Sequence, residues 1–471
     1  MYTSFIGLEI HIRLLTTTKV FCSCKTSFGE EPNTNVCPVC MGYPGVLPAL
    51  NRESMKMAYL VARTLNCTLS EQTHFERKNY FYPDMPKNYQ ISQYATPVGT
   101  NGYIDVETGG EKKRIRIHDV HLEEDAGKMV HSGGATYCDY NRAGTSLLEI
   151  VTEPDLVTGE DAEEFIQEFR RVVRYLGVCD GNMEEGSLKC DANVSVNEEG
   201  RGLGKKVELK NLNSSRFVKK GLNYEIERQI EVLEEGGELF QETRLWDEKS
   251  GTTTVMRTKE SAHDYRYFPE PDLPPFKADG QFLKEVERSL IELPLEKRQR
   301  FASQYELPDN QVRFLCEEKP IADFFERTVS LGADPEQAAV WLSGDIQKIL
   351  NREGRELGES PFSPKRLTGL ITMVEEGKIS GRIAKDVVER IYSEDKDPEL
   401  IVEEQGWEQI DDTSAVEAMV DQVIAEHQKA VTQIKEGDQK PIGFLVGQVM
   451  KLSSGKADPK LVQKLLREKL L

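Results

Sequence analysis

Cys22-Ser-Cys24 and Cys37-Pro-Val-Cys40, two cysteine pairs twelve residues apart, commit the first tenth of the 471-residue chain to one local geometry. Four thiolates at this spacing suit a tetrahedral Zn²⁺. Pro38, Cys40 and Gly42 mark a tight turn whose free backbone N–H groups stabilise sulfur charge while two sulfurs reach one ion. A pair of disulfides is the other reading of the same spacing. The odd total of nine cysteines, and the absence of a basic stretch followed by an apolar run at the start, weigh against it. An ion held by four thiolates keeps no open coordination position, so this metal is expected to be structural.

The length accommodates two to four domains, each with its own core. No run approaches the eighteen apolar residues of a membrane span, and a soluble, cytoplasmic protein is expected. A formal charge of −20 argues against a surface coated in nucleic acid. Gln428–Leu471 departs from that average, with nine Lys/Arg against four Asp/Glu, a net of +5. A local anion-binding tail is expected there.

Up to about Pro294 the texture is short alternating runs with Gly-rich turns, which predicts a mixed sheet with a few helices. Apolar spacing predicts helices over 159–176, ended by Gly177, and over about 215–233. The segment Pro269–Pro275 reads as a stiff passage without regular structure. Beyond Leu293-Pro294 the sequence reads as almost wholly helical. The expected organisation is α+β: a mixed-sheet domain with the zinc-bearing loop over 1–293, an all-α domain over 294–406 and a small helical tail over 407–471.

Several strands carry a chemically loaded face. Ile6, Leu8, Ile10, Ile12 and Leu14 alternate with Gly7, Glu9, His11 and Arg13. Leu188, Cys190, Ala192, Val194 and Val196 alternate with Lys189, Asp191, Asn193 and Ser195, and Lys206, Glu208 and Lys210 form a further polar row. Such rows suit a nucleotide with its Mg²⁺, because carboxylate and amide oxygens bind the ion while lysines meet phosphates; a solvated sheet face is the plainer reading. His118–Lys128 packs two imidazoles, four carboxylates and a lysine into eleven residues, which repel unless a cation or partners neutralise them. Glu149 lies within the apolar run Leu147–Val151, so its carboxylate requires a buried partner or a metal. The phosphate loop, the dinucleotide fingerprint and the nucleophile elbow are all missing. The charged Gly200/Gly202/Gly204 run reads as a hairpin loop.

In this order, Ile6-Gly-Leu-Glu-Ile-His11, Tyr43-Pro-Gly-Val-Leu-Pro48, Arg77-Lys-Asn-Tyr-Phe-Tyr-Pro-Asp84, His121-Leu-Glu-Glu-Asp-Ala-Gly-Lys128, Met183-Glu-Glu-Gly-Ser-Leu-Lys-Cys-Asp191, Glu208-Leu-Lys-Asn-Leu-Asn213, Asp264-Tyr-Arg-Tyr-Phe-Pro-Glu-Pro271 and Gly443-Phe-Leu-Val-Gly447 span essentially the whole chain. The sequence thus resembles the B subunits of the bacterial glutamyl-tRNA(Gln)/aspartyl-tRNA(Asn) amidotransferases. The resemblance implies a cradle domain with a kinase-like site, a helical domain and a tail that contacts tRNA. It also implies ATP, Mg²⁺ and a heterotrimer, whose other members are the amidase, which supplies ammonia from glutamine, and the small C subunit. By the same resemblance Glu9, His11 and Glu124 hold the metal ions, with Glu149, Asp191 and Asn193 as neighbours. Lys78, Asn79 and Lys87 border the pocket or the ammonia path, and Lys210 belongs to the nucleotide site. Cys22, Cys24, Cys37 and Cys40 match the family's zinc-bearing branch. A stand-alone ATP-dependent ligase and a non-catalytic, zinc-containing RNA-binding factor are the other classes the residues allow.

Overall fold

The structure, a computed structural model, describes residues 1–257, 265–407, 413–435, 440–453 and 456–470. The chain forms two compact units, Met1–Glu296 and Lys297–Leu471. Asp264, the first residue of one motif above, lies outside the described residues.

The first unit is built on a 12-stranded mixed sheet. Its centre is the strand Tyr2–Arg13, flanked antiparallel by Ser146–Thr152 on one side and Leu188–Glu198 on the other. Beyond Ser146–Thr152 comes the long strand Glu111–Glu124, which also pairs with Gly99–Thr108. Beyond Leu188–Glu198 come Val207–Lys210 and Glu242–Asp247, the latter pair parallel. Helix Ser215–Glu234 lies between those parallel strands in sequence, as a crossover requires. The Gly200–Gly204 stretch does connect two antiparallel neighbours.

Strand alternation sorts the sheet into two faces. Ile6, Leu8, Ile10, Ile12, Leu148, Ile150, Leu188, Ala192 and Val194 are at most 1% exposed. They share one core with Phe165, Phe169 and Val173 of helix Gly159–Tyr175. That helix starts on a reciprocal capping box between Thr158 and Asp161, and Gly177 follows its end at φ +66°. Burying each such aliphatic or aromatic side chain contributes about 1.5–3 kcal/mol, so this face fixes the register of every strand it includes. The opposite face is left to polar residues.

Pro269–Pro275 is free of regular structure from Glu270 to Pro275, as its prolines predict, and short strand pairs bracket it. Phe268–Pro269 pairs with Glu76–Arg77, and Phe276–Lys277 pairs with Gln72–Thr73. Proline is tolerated because this strand lies at the sheet edge, where no donor is missed. Arg77 anchors it, with Nε and Nη2 donating to Glu270 at 2.6 and 2.9 Å.

The second unit is helical throughout its described residues and holds two apolar clusters, one running from Phe301 to Val402 and one from Val416 to Leu470. Prolines 335, 364, 398 and 441 sit in the first turns of their helices, where a missing N–H costs nothing. Helix Pro459–Leu470 buries Val462, Leu465 and Leu466 and exposes Lys460, Lys464 and Arg467. Lys469 pairs with Asp421 at 2.7 Å and Glu417 at 2.9 Å.

Candidate active site

The register of the central strands places the polar residues in rows across the open face. His11 stands opposite Glu149 on one neighbour and Lys189 on the other, and Glu9 stands opposite Asp191. Glu149 in turn stands opposite His121. His11 Nε2 is 3.2 Å from Glu149 Oε2, 3.8 Å from Glu123 Oε1 and 3.9 Å from Glu9 Oε1. His121 Nε2 lies 2.9 Å from the same Glu149 oxygen, and its Nδ1 is 3.3 Å from Asp119. Two overlapping ligand groups result, Glu9–His11–Glu149 and His121–Glu123–Glu149, each with its ligand atoms within 4.8 Å of one another.

The electrostatics are those of a crowded acidic site. Burial opposes charge on His11, but the hydrogen bond and charge of Glu149, with Glu123 and Glu9 behind it, hold its pKa at about 9. His121 is raised in the same way, against burial, by Glu149 and Asp119. Burial pushes Glu149 up, and the two imidazoles more than reverse this, leaving it well below the usual carboxylate range. Glu9 is raised by burial and by the charge of Glu149. Two imidazolium protons therefore stand where a divalent cation can do the same neutralising work. Carboxylate oxygens with neutral imidazole nitrogens form a donor set that fits such an ion.

Lys210 pairs with Asp191 and lies 3.3 Å from Glu208, which accepts from Thr243 at 2.9 Å. Asn193 Oδ1 is buried without a hydrogen-bond partner, which marks a polar atom facing the site with capacity to spare. Lys78 Nζ lies 5.1 Å from the centre of the Tyr265 ring; burial opposes its charge, but Glu123, Tyr267 and Glu149 keep its pKa high. Asn79 instead pins a loop, donating to the carbonyls of Tyr265 and Arg266 at 3.2 and 2.8 Å.

Glu124, expected beside His11, is not part of either ligand group. Val120 and Leu122 are buried in the core, so alternation brings Asp119, His121 and Glu123 to the polar face, and Glu123 is the residue that meets His11. Glu124 pairs with Lys87 and accepts from the Ile91 N–H at 2.8 Å. The two line a small cavity of about 70 Å³ with Phe21, Cys40, Gly144 and Asp272. The same alternation, carried along Val120 and Leu122, is the sequence signal that picks out His121 and Glu123.

A larger cleft of about 610 Å³ adjoins the acidic row. Arg13, two residues on from His11, and Lys189, opposite His11 on the neighbouring strand, line it with Lys128, Arg142 and Thr145 and with the carboxylates of Glu30, Asp139, Glu184 and Glu185. Arg13 Nε and Thr145 Oγ1 are buried without hydrogen-bond partners. A cleft of mixed charge, lined by four cationic and four acidic side chains, thus borders the two candidate ligand groups on one surface.

The four cysteine sulfurs of residues 22, 24, 37 and 40 lie within 4.8 Å of one another. The turn between the second pair is closed by Met41 N–H to Cys37 O at 3.0 Å and Tyr43 N–H to Pro38 O at 2.9 Å, while the Cys37 N–H points at Cys40 Sγ, 3.2 Å away. Gly42 takes the left-handed φ of +67°, and a Cβ there would lie 2.6 Å from Lys87 Cγ. The hydrogen bond with Cys22, then the Cys37 backbone and Lys19, hold the Cys40 thiol down at about 4 despite burial. Four convergent sulfurs fit a tetrahedral metal, and without one the hydrogen bond with Cys40 and burial push Cys22 up, burial and the neighbouring sulfurs push Cys24 up, and Cys40 takes the charge.

Residues 4–284 match the family model described as the GatB/GatE catalytic domain, and residues 323–470 match the GatB domain. The chain is 48% identical to the B subunit of the aspartyl/glutamyl-tRNA(Asn/Gln) amidotransferase of Carboxydothermus hydrogenoformans, over 100% of this chain and 99% of that protein. It is 50% identical to the protein of the same name from Caldanaerobacter subterraneus, over 100% and 99%, and 47% identical to that of Geobacter sulfurreducens, over 100% and 99%. With both family models and full-length relatives in agreement, the chain belongs to the GatB family of tRNA-dependent amidotransferase B subunits.

Proposed function

We propose that this chain forms the side-chain amide on misacylated tRNA, Glu on tRNA(Gln) or Asp on tRNA(Asn), within a glutamine-hydrolysing ligase. The observation that carries the reading is the border between the Glu9–His11–Glu149 cluster and the Arg13–Lys189 cleft on one sheet face. The relatives' names supply the substrate class. A carboxylate oxygen of the aminoacyl side chain attacks the γ-phosphorus of ATP, ADP departs, and an acyl phosphate remains. Ammonia then attacks the carbonyl carbon; phosphate leaves with the C–O bond pair and one proton is lost, giving the amide. Both steps depend on positioning and charge neutralisation more than on a protein nucleophile.

Glu9, Glu149 and Glu123, with His11 and His121 in their neutral forms, are the residues that would hold Mg²⁺, which when bound offsets phosphate charge. Arg13 and Lys189 orient the phosphates, and Asp191, Lys210 and Asn193 form the next polar row. Lys78 meets the incoming carboxylate. Lys87 and Glu124 line the small cavity through which ammonia from the amidase partner arrives; the small C subunit completes a heterotrimer. Cys22, Cys24, Cys37 and Cys40 would hold a structural Zn²⁺, and the exposed Lys460, Lys464 and Arg467 contact tRNA. Among the described residues no helix is long and apolar enough to cross a membrane, and we place the enzyme in the cytoplasm.

The test reconstitutes the chain with its partner proteins and follows ATP-dependent amidation of Glu-tRNA(Gln) and Asp-tRNA(Asn). Amide formation that requires ATP, Mg²⁺ and charged tRNA supports the reading. Equal turnover of free glutamate or aspartate returns the stand-alone ligase.

A further inference from the structure

Lys19 has a wholly buried side chain, 0% exposed. Its ammonium donates to the Tyr140 carbonyl at 3.1 Å and lies 3.6 Å from Cys40 Sγ. No carboxylate oxygen among the described residues comes within 4.0 Å of it. A buried ammonium is costly unless an anion meets it, and a carbonyl supplies only a dipole. Two disulfides leave that cost standing, and a lone Cys40 thiolate meets it with a single charge. Four thiolates around a divalent ion carry two net negative charges and remove it.

The backbone places the lysine for this task. Lys19 N–H donates to Cys24 O at 2.9 Å, so the residue is tied to one cysteine pair through its main chain and to the other through its side chain. Val20 N–H donates to Gly144 O at 2.9 Å, which draws the Tyr140–Gly144 segment over the lysine stem. Gly144 has φ +82°, and a Cβ there would meet Cys40 Cβ and Lys19 Cδ, each at 3.5 Å. The stem is thus enclosed, with the ammonium on the Tyr140 carbonyl and beside Cys40 Sγ; the Glu124 carboxylate, which also borders that Gly144 position, is paired with Lys87.

We infer that Lys19 is the counter-charge of a metal–tetrathiolate centre, selecting the metal-bound form of the four cysteines over a disulfide-bonded one. The inference rests on the zinc reading above and extends it to a residue outside the ligand set. Hydrogen bonds and charges just outside a metal's ligands commonly change its affinity by about 10–100-fold.

The experiment measures three things on the full chain and on Lys19→Met and Lys19→Arg: zinc per chain, zinc transfer to 4-(2-pyridylazo)resorcinol, and the thiolate-to-metal charge-transfer bands after Co²⁺ loading. One zinc per wild-type chain, retention about 10–100-fold weaker in Lys19→Met, and recovery of most of it in Lys19→Arg are expected. Equal retention in wild type and Lys19→Met overturns the role of Lys19 while leaving the zinc reading intact. A wild type without metal overturns both. If Lys19→Met is insoluble, alkylation of the wild type decides. Four thiols protected until a chelator is added support the inference; disulfides or freely alkylated thiols in the folded chain leave the ammonium without an anion and sink it.

Discussion

His121 and Glu149 face each other across adjacent strands with 2.9 Å between Nε2 and Oε2, and their carboxylate–imidazole contact is the closest in the acidic row. Glu149 shares the same oxygen with His11 at 3.2 Å, so this one carboxylate links both ligand groups. Glu149→Gln removes the charge and keeps the volume. In the reconstituted enzyme it is expected to lower ATP-dependent amidation by about two orders of magnitude or more, while glutamine hydrolysis in the amidase partner is retained. Single-turnover ATP cleavage on charged tRNA checks this; a loss below about tenfold removes Glu149 from the centre.

Glu123 and Glu124 separate two readings of one sequence stretch. Glu123→Gln is expected to raise the Mg²⁺ concentration needed for half-maximal rate, because its carboxylate meets His11. Glu124→Gln leaves buried Lys87 without its carboxylate and is expected to cost about 3–5 kcal/mol of stability, with the Mg²⁺ dependence unchanged. A Mg²⁺ titration beside urea unfolding of each variant tests the assignment, which fails if Glu124→Gln alone moves the titration.

The acidic row gives the metal-free chain a pH signature. His11 is raised from 6.5 to about 9 on folding, so its contribution to stability is fully present below pH 6.5 and lost as pH rises through about 9. The difference in thermal midpoint between the metal-free wild type and His11→Gln is therefore expected to shrink from about pH 6.5 to about pH 10. Mg²⁺ competes with that proton, so its apparent affinity is expected to rise over the same interval. Calorimetry without and with Mg²⁺ reads both trends; a difference independent of pH contradicts them.

The tail prediction concerns salt. Replacing Lys460, Lys464 and Arg467 together by Gln is expected to flatten the dependence of log K on log salt for tRNA by about 0.7–0.9 per lost phosphate contact. Filter binding between about 50 and 200 mM salt, the range over which such contacts dominate, measures the slope. An unchanged slope moves the tRNA contacts off this helix.

Much of the architecture was legible because one face of the sheet is strictly apolar. Alternation in Ile6–Leu14 and Leu188–Val196 named both central strands, and the stripe from Ala162 to Val173 named a helix whose observed bounds are Gly159–Tyr175. The prolines at 269–275 read correctly as irregular chain over 270–275, while the edge pairing of Pro269 had no local signal, because proline marks irregular chain and sheet edge alike. The choice between Glu123 and Glu124 depended on carrying the two-residue period through a run in which nearly every outward position is charged. The counter-charge at Lys19 had no local signal, because its partner Cys40 is 21 residues away and nothing in the neighbouring sequence reports burial.

The central position of Tyr2–Arg13 also governs the order of events during synthesis. The first strand leaves the ribosome before either of its neighbours, Ser146–Thr152 or Leu188–Glu198, exists. At about 5–20 residues per second, roughly 10–40 s pass before both flanks are made. Until Ser146–Thr152 is made, Ile6, Leu8, Ile10 and Ile12 have neither flanking strand to pair with, and a ribosome stalled before residue 146 presents them as an unpaired apolar ribbon. The strand that carries Glu9 and His11 is therefore fixed in register on both sides only after Leu188–Glu198 has been made.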